Sequence, residues 1–307
     1  MWYFSKANNK RFYVFKLPYF SFMLVPYLFV IGSLLTSCGT ELTCKGCGVK
    51  QNETSTKYDP TVVGEFEHIM VSEFHAMSRC ERRFGNLVAD AMLWKGIDAE
   101  IAFINAGSIR RIDTDNFTYL QPGPVTMGDL KLVFPYDNSE ASNPAKIITI
   151  SISGKVIKDA LENSLSRMEN NGSEGTSFGR FLQVAGIKFY ADVRNAVESR
   201  ILSAKILHTG ETIDLTDSTK KYRVAVPSKY IKNYPGFQDY DGYWDIFAQE
   251  FETWEGVDTN TLVFDATIDF IKTYTPINNY SDHEKVYAIV KDDCREPYTT
   301  RMSIEHE

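Results

Sequence analysis

The sequence predicts an α+β domain built around a mixed sheet. Helix-period and strand-period segments alternate between residues 60 and 275. Several strand-like runs follow one another with only a short turn between them, which favours hairpins over a strict βαβ series. The composition is that of an ordinary globular protein, with 43% hydrophobic and 24% charged residues in 307. A chain of this length can bury roughly 70–75% of its unfolded surface, so the fold needs no disulfide scaffold.

The elements follow in order. GNLVADAMLWKG places Leu87, Ala91 and Trp94 on one helical face, with Gly96 as a stop. IAFI, Ile101 to Ile104, is a buried strand. TMGDLKLVF offers Thr126 as N-cap and Asp129 three residues later, a capping-box-like start. KIITISIS sets Ile148, Ile150 and Ile152 against Thr149, Ser151 and Ser153, the pattern of a half-buried strand. The helix that follows carries Ile157, Ala160, Leu161, Ser164, Leu165 and Met168 on one face. NNGSEGTSFG, residues 170–179, is a loop. FLQVAGIKFY, Ile201 to Leu207 and KYRVAVP read as strands, with a turn over His208–Thr212. DATIDFIKTY, before Pro276, is the last helix.

The two ends have a different character. Lys6, Lys10, Arg11 and Lys16 precede an apolar run of about 19 residues, Leu17 to Leu35, and then Leu-Thr-Ser-Cys. A basic start, an apolar stretch and small residues are an export signal. The end of the run resembles a bacterial lipobox in which Cys38 is lipidated. An uncleaved anchor and a start codon placed too early are the other readings, and all three export the rest of the chain. Residues 1–37 are thus expected as signal or anchor, 38–58 as a flexible tether, 59–276 as the globular domain and 277–307 as a charged tail. The expected location is the cell surface or periplasm, membrane-attached or secreted. The sequons at Asn52, Asn116, Asn171 and Asn279 fit an exported protein. Cys44 and Cys47 form a lone CxxC with no second ligand pair, which suits a local disulfide or free thiols better than zinc.

With 40 acidic and 33 basic residues the net charge is −7, so nucleic-acid binding, which relies on a basic surface, is not expected. Of the five histidines, His68, His75, His208, His283 and His306, none sits in D-x-H, N-H-D or H-x-H. A two-metal phosphatase requires several such ligands. There is no G-x-S-x-G elbow and no Walker A loop, so no catalytic residue is assigned.

One corner carries chemistry. FINAGSIRRID turns sharply at the end of a buried strand and presents Asn105, Gly107 and Arg110 together. Exposed backbone N–H groups at such a turn, a glycine that allows close approach, and a guanidinium fork suit an anion. A plain surface turn is the competing reading.

Upstream lies SRCERRFGNLVADAM and downstream FPYDN. Together with INAGSIR, ISGKVIKDALENSLSRM, GRFLQVAGIKF and YDGYWDIF they resemble, in order, the C-terminal, substrate-binding domain of the 5′-nucleotidases, the family of ecto-5′-nucleotidase and bacterial UDP-sugar hydrolase. The resemblance runs over about residues 60–275. It implies that Tyr136 and Tyr243 clamp a nucleobase, that Asn105 and Arg110 contact sugar and phosphate, and that an arginine near Glu81 assists. The sequence departs from the family at four points. Ala106 and Ser108 replace glycines. Ser78 occupies an arginine slot, leaving Arg79, Arg82 and Arg83 as candidates. Asp239-Tyr240 replaces a glycine pair. Asp245 and Glu250 compete as the ribose-binding acid.

The family catalyses through a separate metallophosphatase domain with two divalent metals such as zinc, and its motifs do not occur in this sequence. The resemblance therefore implies nucleotide or nucleoside recognition by a domain that is not catalytic alone. The alternatives are a subunit or fragment of an active 5′-nucleotidase or UDP-sugar hydrolase, working with a separately encoded metallophosphatase, and a surface-anchored adhesion or scaffold protein.

Overall fold

The computed structural model describes residues 59–110, 119–168, 179–232, 234–235, 242–250, 256–277 and 302–305. Cys38, the apolar N-terminal run, the tether and the 170–178 loop lie outside the described residues. Among the described residues no helix is long and apolar enough to cross a membrane.

The chain order begins β1 (Val62–Phe66), β2 (Met70–Val71), α1 (Phe74–Met77), α2 (Arg83–Lys95), β3 (Ile101–Asn105), β4 (Tyr119–Leu120), β5 (Gly123–Thr126) and α3 (Met127–Val133). It continues with β6 (Lys146–Ser153), α4 (Gly154–Leu165), β7 (Leu182–Ala185), β8 (Ile187–Asp192), β9 (Ile201–Ile206), β10 (Lys221–Pro227), β11 (Gly256–Leu262), α5 (Val263–Tyr274) and β12 (Met302–Glu305). The central sheet has the order β11-β6-β10-β3-β7. Only β10 and β3 run parallel there, so the sheet is mixed, as the sequence predicts. A second sheet, β12-β8-β9, continues from it, because β7 leads directly into β8 through Gly186.

Local chemistry explains the elements. Thr126 and Asp129 form the predicted capping box: Thr126 Oγ1 accepts from the Asp129 N–H at 3.2 Å, and Asp129 Oδ2 accepts from the Thr126 N–H at 2.9 Å. Ser153 caps α4 by accepting from the Val156 N–H at 3.3 Å. Helix α2 is buried from Phe84 to Leu93 on every side, the signature of a helix enclosed by other elements. It lies against β3 and β7, and Trp94 meets Phe270 and Tyr274 of α5 edge-on at 5.7 and 5.8 Å.

Several features differ from the sequence reading, which also named none of β1, β2, α1, β4 and β5. Strand β6 is buried on both faces, with even Thr149 fully enclosed, because α4 and the segments Ser228–Tyr230 and Gly242–Glu250 pack against it. Strand β11 was not expected. Its sequence GVDTNTL is polar because it forms an edge, where one side faces solvent. The region read as a charged tail contains β12, which pairs in parallel with β8, and Met302 N donates to the buried Glu81 Oε2 at 3.0 Å. Four residues are too few to show a period. Cys80 is disulfide-bonded, and the four other cysteines lie outside the described residues.

Candidate functional site

Strand β3 is fully buried along IAFIN and delivers Asn105 to the sheet's end. The chain then makes one 3₁₀ turn, Ala106–Ser108. The backbone part of the anion reading of this turn needs correction. The Ala106 N–H donates to Phe181 O and the Gly107 N–H to Gly179 O, each at 2.8 Å, so neither is available to a ligand. Neither Ala106 nor Gly107 has positive φ, which is why alanine is accommodated in place of glycine. Gly107 serves close approach instead. A Cβ there would lie 2.9 Å from Asn105 Nδ2 and 3.0 Å from both Gly179 O and an Arg110 nitrogen.

Asn105 is largely committed within the protein. Its Nδ2 donates to Gly179 O at 2.9 Å, and its Oδ1 accepts from Ser108 Oγ at 2.8 Å and from the Tyr230 hydroxyl at 2.7 Å. Both acceptor sites and one of two donors are used, leaving a single N–H for anything else. Ser108, the second departure from glycine, thus fixes the Asn105 side chain. The same Tyr230 hydroxyl accepts from the Asn105 backbone N–H at 2.7 Å.

Arg110 has a different environment. Its Nη1 donates to Gly107 O at 2.8 Å. The guanidinium lies over the Phe74 ring, 4.2 Å from its centroid, and 5.7 Å from the Tyr136 centroid. Among the described residues no carboxylate pairs with it. The Tyr136 ring is 49% exposed, yet its backbone is held on both sides. Phe134 packs edge-on against Phe84 and Phe264 at 6.1 and 5.3 Å. Asp137 accepts from the Ala145 N–H at 3.0 Å and from Lys229 Nζ at 2.6 Å, in a buried ion pair. Asn138 Nδ2 donates to Phe134 O at 2.9 Å.

The Tyr243 side chain lies outside the described residues, but its segment, Gly242–Glu250, is placed. Trp244 and Phe247 of that segment stack on Tyr230 at 4.6 and 6.0 Å. Tyr230 therefore joins the segment that carries Tyr243 to Asn105. Asp245 is exposed, and the side chain of Glu250 is outside the described set. Just before the segment, Tyr234 donates to Asp258 Oδ2. Burial, then that carboxylate, push the Tyr234 hydroxyl well above its ordinary range. Burial works to raise the Asp258 carboxyl, but Tyr234, the Asn260 N–H and Lys146 outweigh it and hold it below 3.8.

The three arginines near Glu81 occupy one loop and the start of α2. Arg79, Arg82 and Arg83 are half-buried, and Arg82 Nε donates to Ala76 O at 3.4 Å. Ser78 is fully buried in the arginine slot. Gln183 shapes this loop: its Nε2 donates to Met77 O at 3.0 Å and Cys80 O at 2.8 Å, and its Oε1 accepts from the Arg82 N–H at 3.0 Å. Glu81 Oε1 accepts from Asn86 Nδ2 at 2.8 Å. Sequence reasoning missed Phe74, Gly179, Gln183 and Tyr230. Gln183 and Gly179 lie inside the quoted GRFLQ motif, whereas nothing in the pattern around Phe74 or Tyr230 marks them. No cluster of three or more His, Cys, Asp or Glu side chains among the described residues is placed to hold a metal ion.

Residues 62–240 match the family described as 5′-nucleotidase, C-terminal domain, a stretch that includes the corner and Tyr136. The chain belongs to this family. It is 33% identical over 180 residues to the trifunctional nucleotide phosphoesterase protein YfkN of Bacillus subtilis, a match that covers 57% of this chain and 10% of that protein. It is 28% identical over 173 residues to the 5′-nucleotidase of Rattus norvegicus, covering 52% of this chain and 27% of that one. Among solved structures, the 5′-nucleotidase precursor of Thermus thermophilus superposes with a TM-score of 0.59 at 25% identity, over 81% of this chain and 40% of the other. The chain thus matches well under half the length of these relatives.

Proposed function

We propose that this 5′-nucleotidase C-terminal domain recognises a nucleotide, with Arg110 taking the phosphate, Tyr136 and Tyr243 the purine base, and Asn105 the sugar through its remaining N–H. One observation carries the reading. A half-buried guanidinium with no carboxylate partner among the described residues stands 5.7 Å from an exposed, firmly seated aromatic ring. An uncompensated cation beside a stacking surface is what a ligand with an anion at one end and a flat π-system at the other requires. Gly107 keeps the turn close enough to Gly179 for both Asn105 and Arg110 to be held.

In this proposal the domain is exported and stays membrane-attached through its N-terminal segment, by Cys38 lipidation or by the apolar run. Hydrolysis belongs to a dimetal phosphatase module that meets this domain. The lengths of the rat and Thermus enzymes favour that second element, since each extends well beyond the stretch matched here. Co-purification of such a module would identify the chain as a subunit.

The test is a calorimetric titration of AMP into the full chain in detergent, with zinc or manganese present. A saturable isotherm that returns to baseline is expected for binding without turnover. A folded protein that gives no heat with AMP or adenosine would refute the nucleotide reading and leave the adhesion or scaffold reading.

A further inference from the structure

We infer that Phe74 is a positioning residue that keeps Arg110 available to an anion, and that it thereby sets how well the site separates a phosphorylated ligand from its dephosphorylated counterpart. This rests on the nucleotide reading above.

A half-buried arginine must be held somehow. A carboxylate would do it bidentately, but it would occupy the fork and repel a phosphate. In this structure the guanidinium is held by the Phe74 ring beneath it, 4.2 Å to the centroid, and by one hydrogen bond to Gly107 O. A ring carries no formal charge and is no conventional hydrogen-bond acceptor, so it leaves the guanidinium charge and N–H groups uncompensated. One of the five donors is used by Gly107 O, and no other hydrogen bond or ion pair engages the group among the described residues. Phe74 is well fixed for this task. It opens α1, where the Glu73 carboxylate accepts from the His75 and Ala76 N–H groups at 2.9 and 2.6 Å, while Met77 is fully buried. Gln183 holds the next loop through Met77 O and Cys80 O.

The experiment uses the full chain with Phe74→Leu, which keeps apolar volume but removes the π face, and Phe74→Tyr, which restores it. AMP and adenosine are titrated into each. Phe74→Leu is expected to weaken AMP about five- to tenfold, with adenosine changed less than about twofold, and Phe74→Tyr to recover AMP binding. Equal losses for AMP and adenosine, or an unchanged ratio, would overturn the inference. A second arm needs no nucleotide. In protein labelled with ¹⁵N-arginine, the Arg110 side-chain signal, identified by its loss in Arg110→Lys, should carry a ring-current shift that disappears in Phe74→Leu. If the wild type binds neither AMP nor adenosine, the nucleotide reading fails. The spectrum then decides the positioning role: a signal that Phe74→Leu leaves in place sinks it, and one that moves sustains it.

Discussion

Removing one oxygen atom, in Tyr230→Phe, tests how the corner is built. The Tyr230 hydroxyl is the partner of two groups on one residue, accepting from the Asn105 N–H and donating to Asn105 Oδ1, each at 2.7 Å. Tyr230 is 1% exposed and Asn105 6%, so water cannot readily replace the hydroxyl. The phenylalanine ring keeps the stack on Trp244 and Phe247, so packing is preserved and the loss is confined to hydrogen bonds. The Asn105 N–H is left buried and unsatisfied, at about 1–3 kcal/mol. Oδ1 keeps Ser108 Oγ at 2.8 Å, so the second loss stays near the lower end of about 0.5–1.5 kcal/mol. The sum is roughly 2–3 kcal/mol, which lowers Tm by about 4–12 °C for a domain of this size.

Denaturant and thermal unfolding of the full chain measure the effect directly. A double-mutant cycle with Ser108→Ala sharpens it. In the double variant Oδ1 loses both donors, so the combined loss should exceed the sum of the single losses by more than about 0.5 kcal/mol. A Tyr230→Phe loss under about 0.5 kcal/mol, or strict additivity with Ser108→Ala, would show that the hydroxyl does not hold Asn105.

Gly85→Ala should destabilise by more than about 2 kcal/mol, because a Cβ there falls 2.4 Å from Gln183 Cγ, and a side chain held by three hydrogen bonds cannot yield; denaturant midpoints check this. Lys229→Met leaves the Asp137 carboxylate buried without its cation and should cost about 3–5 kcal/mol, while pairing it with Asp137→Asn should recover part of that loss in the same unfolding assay. Asp258 has a folded-state pKa below 3.8, so it contributes stability that is present above that value and lost as pH falls through the depressed one. Asp258→Asn should therefore be less stable than wild type at pH 7, and the gap should close in acid; Tm measured from pH 7 down to pH 2 reads it.

The sequence carried the elements whose apolar period was long enough to see. Helix α2, strand β3, the Thr126–Asp129 box and the hairpin strands all fall where the pattern predicts. It did not reveal β11 or β12, because a polar edge strand and a four-residue strand have no apolar repeat to detect. At the candidate site, the pattern singled out Asn105, Gly107, Arg110 and Tyr136, and the structure sets the Arg110 guanidinium 5.7 Å from the Tyr136 ring, but the backbone of the turn is used differently from the expectation. Its N–H groups go to Phe181 O and Gly179 O, acceptors more than 70 residues away, and no local pattern reports a partner at that separation. The same holds for GNL and FLQ. Both mark the family, yet their described work is mutual: Gly85 makes room for Gln183, and Gln183 fixes the loop that contains Cys80 and Arg82. Motif identity thus marked the family without telling scaffold from contact surface.

Electrostatics makes that distinction. This is an acidic chain, with 40 carboxylate side chains against 33 cations. Some partly buried cations here meet a carboxylate: Lys229 is paired with Asp137, and Lys131 with Glu140 and Asp59, whereas half-buried Arg223 donates to Ile97 O. Even Arg194, nearly half exposed, has both ends of its fork on Asp192. Arg110 is held instead by a carbonyl and an aromatic face. Neither partner carries a formal charge, so the positive charge persists in a half-buried setting where it is felt more strongly than on open surface. What sets Arg110 apart from Arg223 is the pair of aromatic rings, Phe74 and Tyr136, at 4.2 and 5.7 Å from its guanidinium. Supplying a carboxylate by Phe74→Glu, at the position whose ring lies 4.2 Å from the guanidinium, should neutralise the corner. It should reduce AMP affinity to that of adenosine, and a variant that kept the preference for AMP would place the phosphate elsewhere.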